Sequence, residues 1–359
     1  MTFKTDNYDF GGIFVWMFMS LIGYNSFMLN ILDYELNELQ QVFITKGFPA
    51  YKAKQVFDWI HKKAVCDFTK MTTISALDAK ILGEVFEPIV LDYVKSEGTS
   101  TVKFLITMHD DLAIEAVVIP SSKGNTLCVS TQIGCALKCD FCATGKVGFK
   151  RDLTTAEIIM QYLIARQEGY EIDRIVYMGM GEPLLNLDNV LKSIDVFNEE
   201  SGANIGVRRF TISTAGIVPG IKKLLEKGYK LNLAVSLHAP TDVLRSKLMP
   251  INDKYKLWEL FAALAEYREA TGRRITLEYV LLQGVNDSDS DADQLIALVK
   301  GTDFHVNLIP YNKTSANYQR SKNIDRFMSR LSKASVNVTK RRSEGGDISA
   351  ACGMLSGKK

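Results

Sequence analysis

Residues 126–145 read Thr126-Leu-Cys128-Val-Ser-Thr-Gln-Ile-Gly-Cys135-Ala-Leu-Lys-Cys139-Asp-Phe-Cys142-Ala-Thr-Gly145. A short apolar run leads into a loop with three cysteines spaced C-x3-C-x2-C. A closed structural zinc site takes four ligands. An iron–sulfur cluster is held by thiolates on its irons, so three thiolates leave one iron open to bind and activate something else. Everything after this loop alternates short strands with amphipathic helices. The strands are Leu127–Ser130, Arg174–Met178, Phe210–Ser213, Leu231–Ser236, Arg274–Val280 and His305–Ile309. Thr154-Thr-Ala-Glu157 is a capping box that opens the first intervening helix, and Asp287-Ser-Asp-Ser begins another. Six βα units in a row predict a parallel sheet. Right-handed crossovers curl it into an open barrel, with a doubly wound sheet as the alternative. In both, the chemistry sits at the C-terminal ends of the strands.

Several polar residues fall on that rim. The cysteine loop follows the first strand, and Gly179-Met-Gly181-Glu182-Pro183 the second. Ser213-Thr-Ala-Gly216 ends the third, Ser236-Leu237-His238 the fourth, and Asn312 lies past the sixth. Gly181 permits close backbone approach, and Glu182 is able to accept from an ammonium. The hydroxyls of Ser213 and Ser236, with Asn312, suit a ribose and a carboxylate.

Upstream, residues 28–95 read as a small helical domain. Leu36, Leu39, Val42 and Phe43 recur at helical spacing until Gly47-Phe-Pro49, and Ser75 is placed to cap a later helix. Residues 96–123 alternate apolar and polar, the pattern of a β-hairpin. Glu115 lies within it, where a lone acid by default points to solvent. The apolar stretch Phe10–Tyr24 is shorter than the roughly 20 residues of a membrane span. Residues 1–27 read as an appendage, with Met28 the natural first residue.

Composition narrows the class. Over 359 residues, 47% hydrophobic and 23% charged content is that of a globular protein. A formal charge of +2 supplies no global basic field, so a nucleic-acid partner would be held by local patches. The clusters Arg208-Arg209, Arg273-Arg274, Lys340-Arg341-Arg342 and Lys358-Lys359 taken singly read as solvated faces. Six clustered cysteines point to metal or redox chemistry in a reducing cytosol rather than a disulfide framework. Cys66 stands apart, as a half-buried small hydrophobe.

The cysteine loop, Met178-Gly-Met-Gly-Glu-Pro-Leu184, Ser236-Leu-His-Ala-Pro240, Phe48-Pro-Ala-Tyr-Lys-Ala-Lys-Gln-Val-Phe-Asp-Trp59 and Asp347-Ile-Ser-Ala-Ala-Cys-Gly353 together resemble the RlmN family of dual-specificity RNA adenine-C2 methyltransferases, within the radical S-adenosylmethionine (SAM) superfamily. The resemblance runs from about residue 28 to the end. It implies an α/β fold: a partial (βα)6 barrel over 124–345, a β-hairpin extension, an accessory RNA-binding domain, and a C-terminal loop, 346–359, carrying a methyl-accepting cysteine. Cys135, Cys139 and Cys142 would hold one [4Fe-4S] cluster. Gly181, Glu182, Ser213, Ser236, Leu237, His238 and Asn312 would contact SAM, of which two are used per turnover.

By the same resemblance Cys352 takes a methyl, which becomes a methylene radical and adds to adenine C2. That carbon is electron-poor and cannot attack a sulfonium methyl. Glu115 would accept the C2 proton, and Cys128 would release the product through a transient disulfide with Cys352. The implied substrates are adenosine 2503 of 23S ribosomal RNA and adenosine 37 of tRNAs. The implied setting is a cytoplasmic monomer without stable membrane association, reduced by a donor such as flavodoxin or ferredoxin. Two departures stand out: Asn312–Arg320 lacks the family's proline-rich stretch, and Gly345-Gly-Asp347 replaces Gly-Asp-Asp. The alternatives are a Cfr-like C8 methyltransferase of the same adenosine and a non-catalytic zinc-dependent RNA-binding protein.

Overall fold

A computed structural model describes residues 28–314, 317–341 and 344–357. The appendage at 1–27, Arg342 and the pair Lys358-Lys359 lie outside the described residues. The sheet holds ten strands: β1 (Tyr93–Glu97), β2 (Val102–Thr107), β3 (Ala113–Ile119) and β4 (Asn125–Cys128), then β7 (Ile172–Tyr177), β8 (Phe210–Thr214), β9 (Asn232–Ser236), β10 (Ile275–Leu281), β11 (His305–Pro310) and β12 (Val338–Lys340), hydrogen-bonded in that order. The short β5 (Gln132–Ile133) and β6 (Arg151–Asp152) pair only with each other. The sheet does not close, so the barrel is partial.

All six expected βα strands are present and parallel, and β12 joins β11 as a seventh. The expected hairpin is a three-stranded antiparallel meander that starts at Tyr93 and continues into the barrel sheet through β3 and β4. The added strand escaped notice because Tyr-Val-Lys-Ser-Glu carries too few apolar residues to show an alternation.

Strand alternation builds the barrel. On β10, Ile275, Leu277 and Tyr279 are buried in the main core. Their neighbours Arg274, Thr276 and Glu278 line the bore instead, with Asn232 of β9 and His305 and Asn307 of β11. A period of two thus separates an apolar outer face from a polar lumen.

The helices are fixed by the expected caps. Thr154 and Glu157 form the capping box of Thr155–Gln167, Ser75 accepts from the Asp78 N–H, and Ser288 with Asp291 boxes Asp289–Val299. The helical domain docks on Thr155–Gln167. Asp33 accepts from the Ala156 N–H at 2.8 Å, and Gln167 donates to the Ala64 carbonyl at 3.0 Å. Cys66 is half-buried there, its thiol pushed up to about 11 by burial.

Candidate active site

Two connected cavities open at the C-terminal ends of the strands. The smaller, about 150 Å³, is walled by Cys135, Cys139 and Cys142 together with Gly181, Glu182, Ser213, Ser236, His238 and Asn312. Of the residues the resemblance implies as SAM contacts, only Leu237 is missing from this wall. Its side chain is fully buried in the main core, and its carbonyl accepts from Arg245 Nε at 3.2 Å.

The rim loops are shaped by close backbone packing. Gly181 has φ +102°, and a Cβ there would lie 2.6 Å from Gln132 Cβ. The close approach that needs this glycine is therefore with the strand beside the cysteine loop. Glu182 is buried and its carboxylate accepts from the Ala215 N–H at 2.7 Å and the Leu184 N–H at 3.1 Å. Burial pushes it up to about 7 against those hydrogen bonds. His238 adopts φ +58° and sits edge-on to Phe141 at 4.7 Å. Its Nδ1 accepts from the Val280 N–H at 3.0 Å, so the neutral ring carries its proton on Nε2. Burial lowers its pKa to about 3.

Arg245 is fully buried between these loops. It donates to the carbonyls of Ala215 (2.7 Å), Ser236 (3.0 Å) and Leu237, and to Asn252 Oδ1 (3.0 Å). Burial lowers its pKa to about 10, and Cys139 is the foremost group holding it charged.

The donor set suits an iron–sulfur cluster. Burial raises Cys135 to about 12 and raises Cys139 further, each with its neighbouring thiols contributing in the same direction. Such thiols ionise only when a metal takes the proton's place. Three thiolates on one zinc would crowd within about 4 Å of each other. Among the described residues, no three His, Cys, Asp or Glu side chains converge as ligands of one ion. The three thiols line one wall of the cavity, a set that a cluster with one thiolate per iron takes, and Arg245 stands beside Cys139 with positive charge.

The larger cavity, about 420 Å³, is walled by Cys128, Arg341, Glu278 and the tail residues Ala350, Ala351 and Cys352. Cys352, Arg341, Glu278 and Asn312 face both cavities. All six cysteines are free. Cys352 is accessible, but to the cavity interior, and burial there raises its thiol.

The tail that carries it is tied down around the cysteine by hydrogen bonds. Asn312 Nδ2 donates to the Cys352 carbonyl (3.2 Å), the Ala143 N–H to the Gly353 carbonyl (2.8 Å), and Thr144 Oγ1 to the Leu355 carbonyl (2.6 Å). Glu115 Oε2 accepts from the N–H groups of Ser356 (2.6 Å) and Gly357 (3.0 Å), while Oε1 pairs with Lys103 at 2.9 Å. Glu115 is therefore buried, contrary to its expected solvent-facing position, because the tail and Lys103 cover it. It does not line either cavity in this arrangement.

Arg341 corrects a second reading. Taken as part of a solvated basic run, it instead reaches the cavity beside Cys128, Cys352 and Glu278. The signal was the alternation Val336, Val338, Lys340, which marks a strand ending on the rim. Glu278 was visible likewise, in phase with Arg274 and Thr276. Among the described residues, no helix is long and apolar enough to cross a membrane.

The chain matches the radical SAM superfamily model over residues 129–296 and the ribosomal RNA large subunit methyltransferase N-terminal domain over 29–85. A probable dual-specificity RNA methyltransferase RlmN of Dictyoglomus turgidum is 45% identical over 336 residues, covering 91% of this chain and 97% of that one. Its counterpart in Spiroplasma citri is 43% identical over 92% of this chain and 98% of its own. A crystal structure of a radical SAM methyltransferase from Sphaerobacter thermophilus superposes with a TM-score of 0.88 at 40% identity, covering 92% of this chain and all of that one.

Proposed function

The chain belongs to the RlmN family of radical SAM RNA methyltransferases, and on that premise we propose that it methylates C2 of an RNA adenosine through Cys352. The family's cofactors are a [4Fe-4S] cluster and SAM. We assign the cluster to Cys135, Cys139 and Cys142, where it supplies the electron for reductive cleavage of SAM. Glu182, Ser213, Ser236, His238 and Asn312 orient SAM against the open side of that wall. Cys352 accepts the methyl group and presents it to the adenine. The observation that carries this is the placement of Cys352 between the two cavities, facing the three-thiol wall on one side and Cys128 on the other.

The roles at the second wall are those the family resemblance implies. Cys128 resolves the Cys352–RNA adduct. Glu115 is the proton acceptor, and its carboxylate becomes free when Ser356 and Gly357 withdraw. The substrates are adenosine 2503 of 23S ribosomal RNA and adenosine 37 of tRNAs, exposed to the cavity by unstacking and gripped through the helical domain. The setting is a cytoplasmic monomer reduced by flavodoxin or ferredoxin.

Anaerobically reconstituted protein given reductant, SAM and ribosomal RNA is expected to release 5′-deoxyadenosine and form 2-methyladenosine. Formation of 8-methyladenosine would place it with the C8 enzymes. A colourless protein with stoichiometric zinc and no deoxyadenosine would sink the reading.

A further inference from the structure

Cys128 is buried at the end of β4, and burial, with a smaller contribution from Cys352, raises its thiol to about 12. The thiolate is the nucleophile, so something must favour ionisation. Arg341 lines the same cavity and acts on Cys128 in that direction. Its backbone N–H donates to the Leu308 carbonyl at 2.8 Å, which seats it just past β12. Its Nη1 lies 3.9 Å from Glu278 Oε2. Glu278 accepts from Asn307 Nδ2 at 3.0 and 3.3 Å, Asn307 Oδ1 accepts from Thr339 Oγ1 at 3.1 Å, and Thr339 Oγ1 is 2.7 Å from His305 Nε2. A ladder of polar side chains climbs the bore and ends at the guanidinium. Burial works against the charge on Arg341, but Cys352, Glu278, Cys128 and Glu344 hold it cationic.

We propose that Arg341 is a positioning residue for the sulfur exchange between Cys128 and Cys352, directing its charge to Cys128 once Cys352 has been alkylated. This rests on the methyl-transfer reading above. A free Cys352 competes with Cys128 for the guanidinium. A thioether at Cys352 has no proton to lose and no charge to offer, so the field falls on Cys128 alone. Cys128 Sγ then gives up its proton and forms a bond to Cys352 Sγ. The bond from that sulfur to the RNA-bound carbon breaks with its electron pair on carbon, and the carbon takes a proton. The two sulfurs leave as a disulfide, which a dithiol reductant restores. The charged and titratable groups around Cys128 are consistent with this. Cys352 faces it from the tail and Arg341 from beyond β12, Glu278 and Glu344 act through Arg341, and Glu115 on neighbouring β3 is engaged by Lys103.

The test is alkylation of Cys128 by iodoacetamide in the full-length anaerobic holoprotein, followed by peptide mass spectrometry across a pH series, with Cys352 free or methylated by SAM. An opposite charge nearby lowers a pKa by roughly one to three units, so Arg341→Met is expected to slow Cys128 alkylation about tenfold or more near neutral pH and move its midpoint upward. Arg341→Lys should retain most of the rate. Methylating Cys352 should speed Cys128 alkylation in the wild type, and by much less in Arg341→Met, where only the direct effect of Cys352 on Cys128 is removed. An unshifted midpoint in folded Arg341→Met overturns the proposal. Should that variant fail to fold, the wild-type pair decides alone, and no acceleration on methylation overturns it. Alkylation needs no RNA, so this outcome is read independently of deoxyadenosine release and methyladenosine formation.

Discussion

The two walls of the site are built in opposite ways. The thiol wall comes from one loop of eight residues, Cys135 to Cys142, backed by rim residues that each follow their own strand. The tail wall joins Cys128 of β4, Arg341 beyond β12 and Cys352 near the chain end, with Glu115 of β3 holding the tail from behind. The first is local chemistry on a scaffold. The second exists only when the sheet has brought its two distant flanks within reach of one segment. On the proposed assignment the contrast teaches that cofactor holding and group transfer are separable in this molecule, the one dependent on a motif and the other on docking.

The largest expected effects separate the walls outright. Cys139→Ala should abolish iron content and, with it, all RNA methylation. Cys352→Ala should abolish methylation with iron content and visible absorbance intact. Iron analysis beside mass spectrometry of RNA checks both. Loss of iron in Cys352→Ala would break the comparison.

Next comes the clamp behind the thiol wall. Arg245→Met removes the guanidinium donors from the Ala215 and Ser236 carbonyls and Asn252 Oδ1 in a buried setting, while the Leu237 carbonyl keeps the Ala239 N–H. Unpaired buried groups cost about 1–3 kcal/mol each, so a loss of at least about 3 kcal/mol in chemical denaturation is expected. Weaker iron retention should accompany it, while the tail stays docked.

Tail docking itself is tested by Gly357→Ala. A Cβ there would lie 2.4 Å from the Ala113 carbonyl oxygen, at φ +63°. The tail should detach from Glu115 and become open to limited proteolysis, with methylation reduced and iron unchanged. Glu115→Gln should loosen the same contact less, since it keeps an acceptor oxygen.

The smallest effect lies off both walls. His61 is buried in the helical domain, and burial lowers its pKa to about 3. The unfolded imidazole takes its proton near pH 6.5. Between these values the unfolded state binds more protons, so stability is full above about 6.5 and falls as pH drops toward 3. His61→Leu should flatten that acid limb in thermal melts without touching either wall.

Legibility follows the same division. The cysteine loop and the rim residues were readable because each lies in a contiguous motif after an apolar strand. The tail wall was not, apart from what resemblance supplied. A buried Glu115 looks like any acid on a strand until Lys103 and the tail amides cover it. Arg341 looks like a surface charge because β12 is three residues long and two of them are polar. Leu237 shows the reverse: its position on the rim is right, but the strand's alternation turns its side chain into the core.

The barrel lacks a side, and the stretch from Gly345 to Gly357 lies where the missing stave would stand, tied to β3 at one margin and to the segment after β11 at the other. On the proposed mechanism the methyl-bearing sulfur is mounted on that plank. Carrying it away from its ties would unseal the vessel by the same movement, so that delivery of the methyl group and admission of a bulky guest would be a single mechanical event.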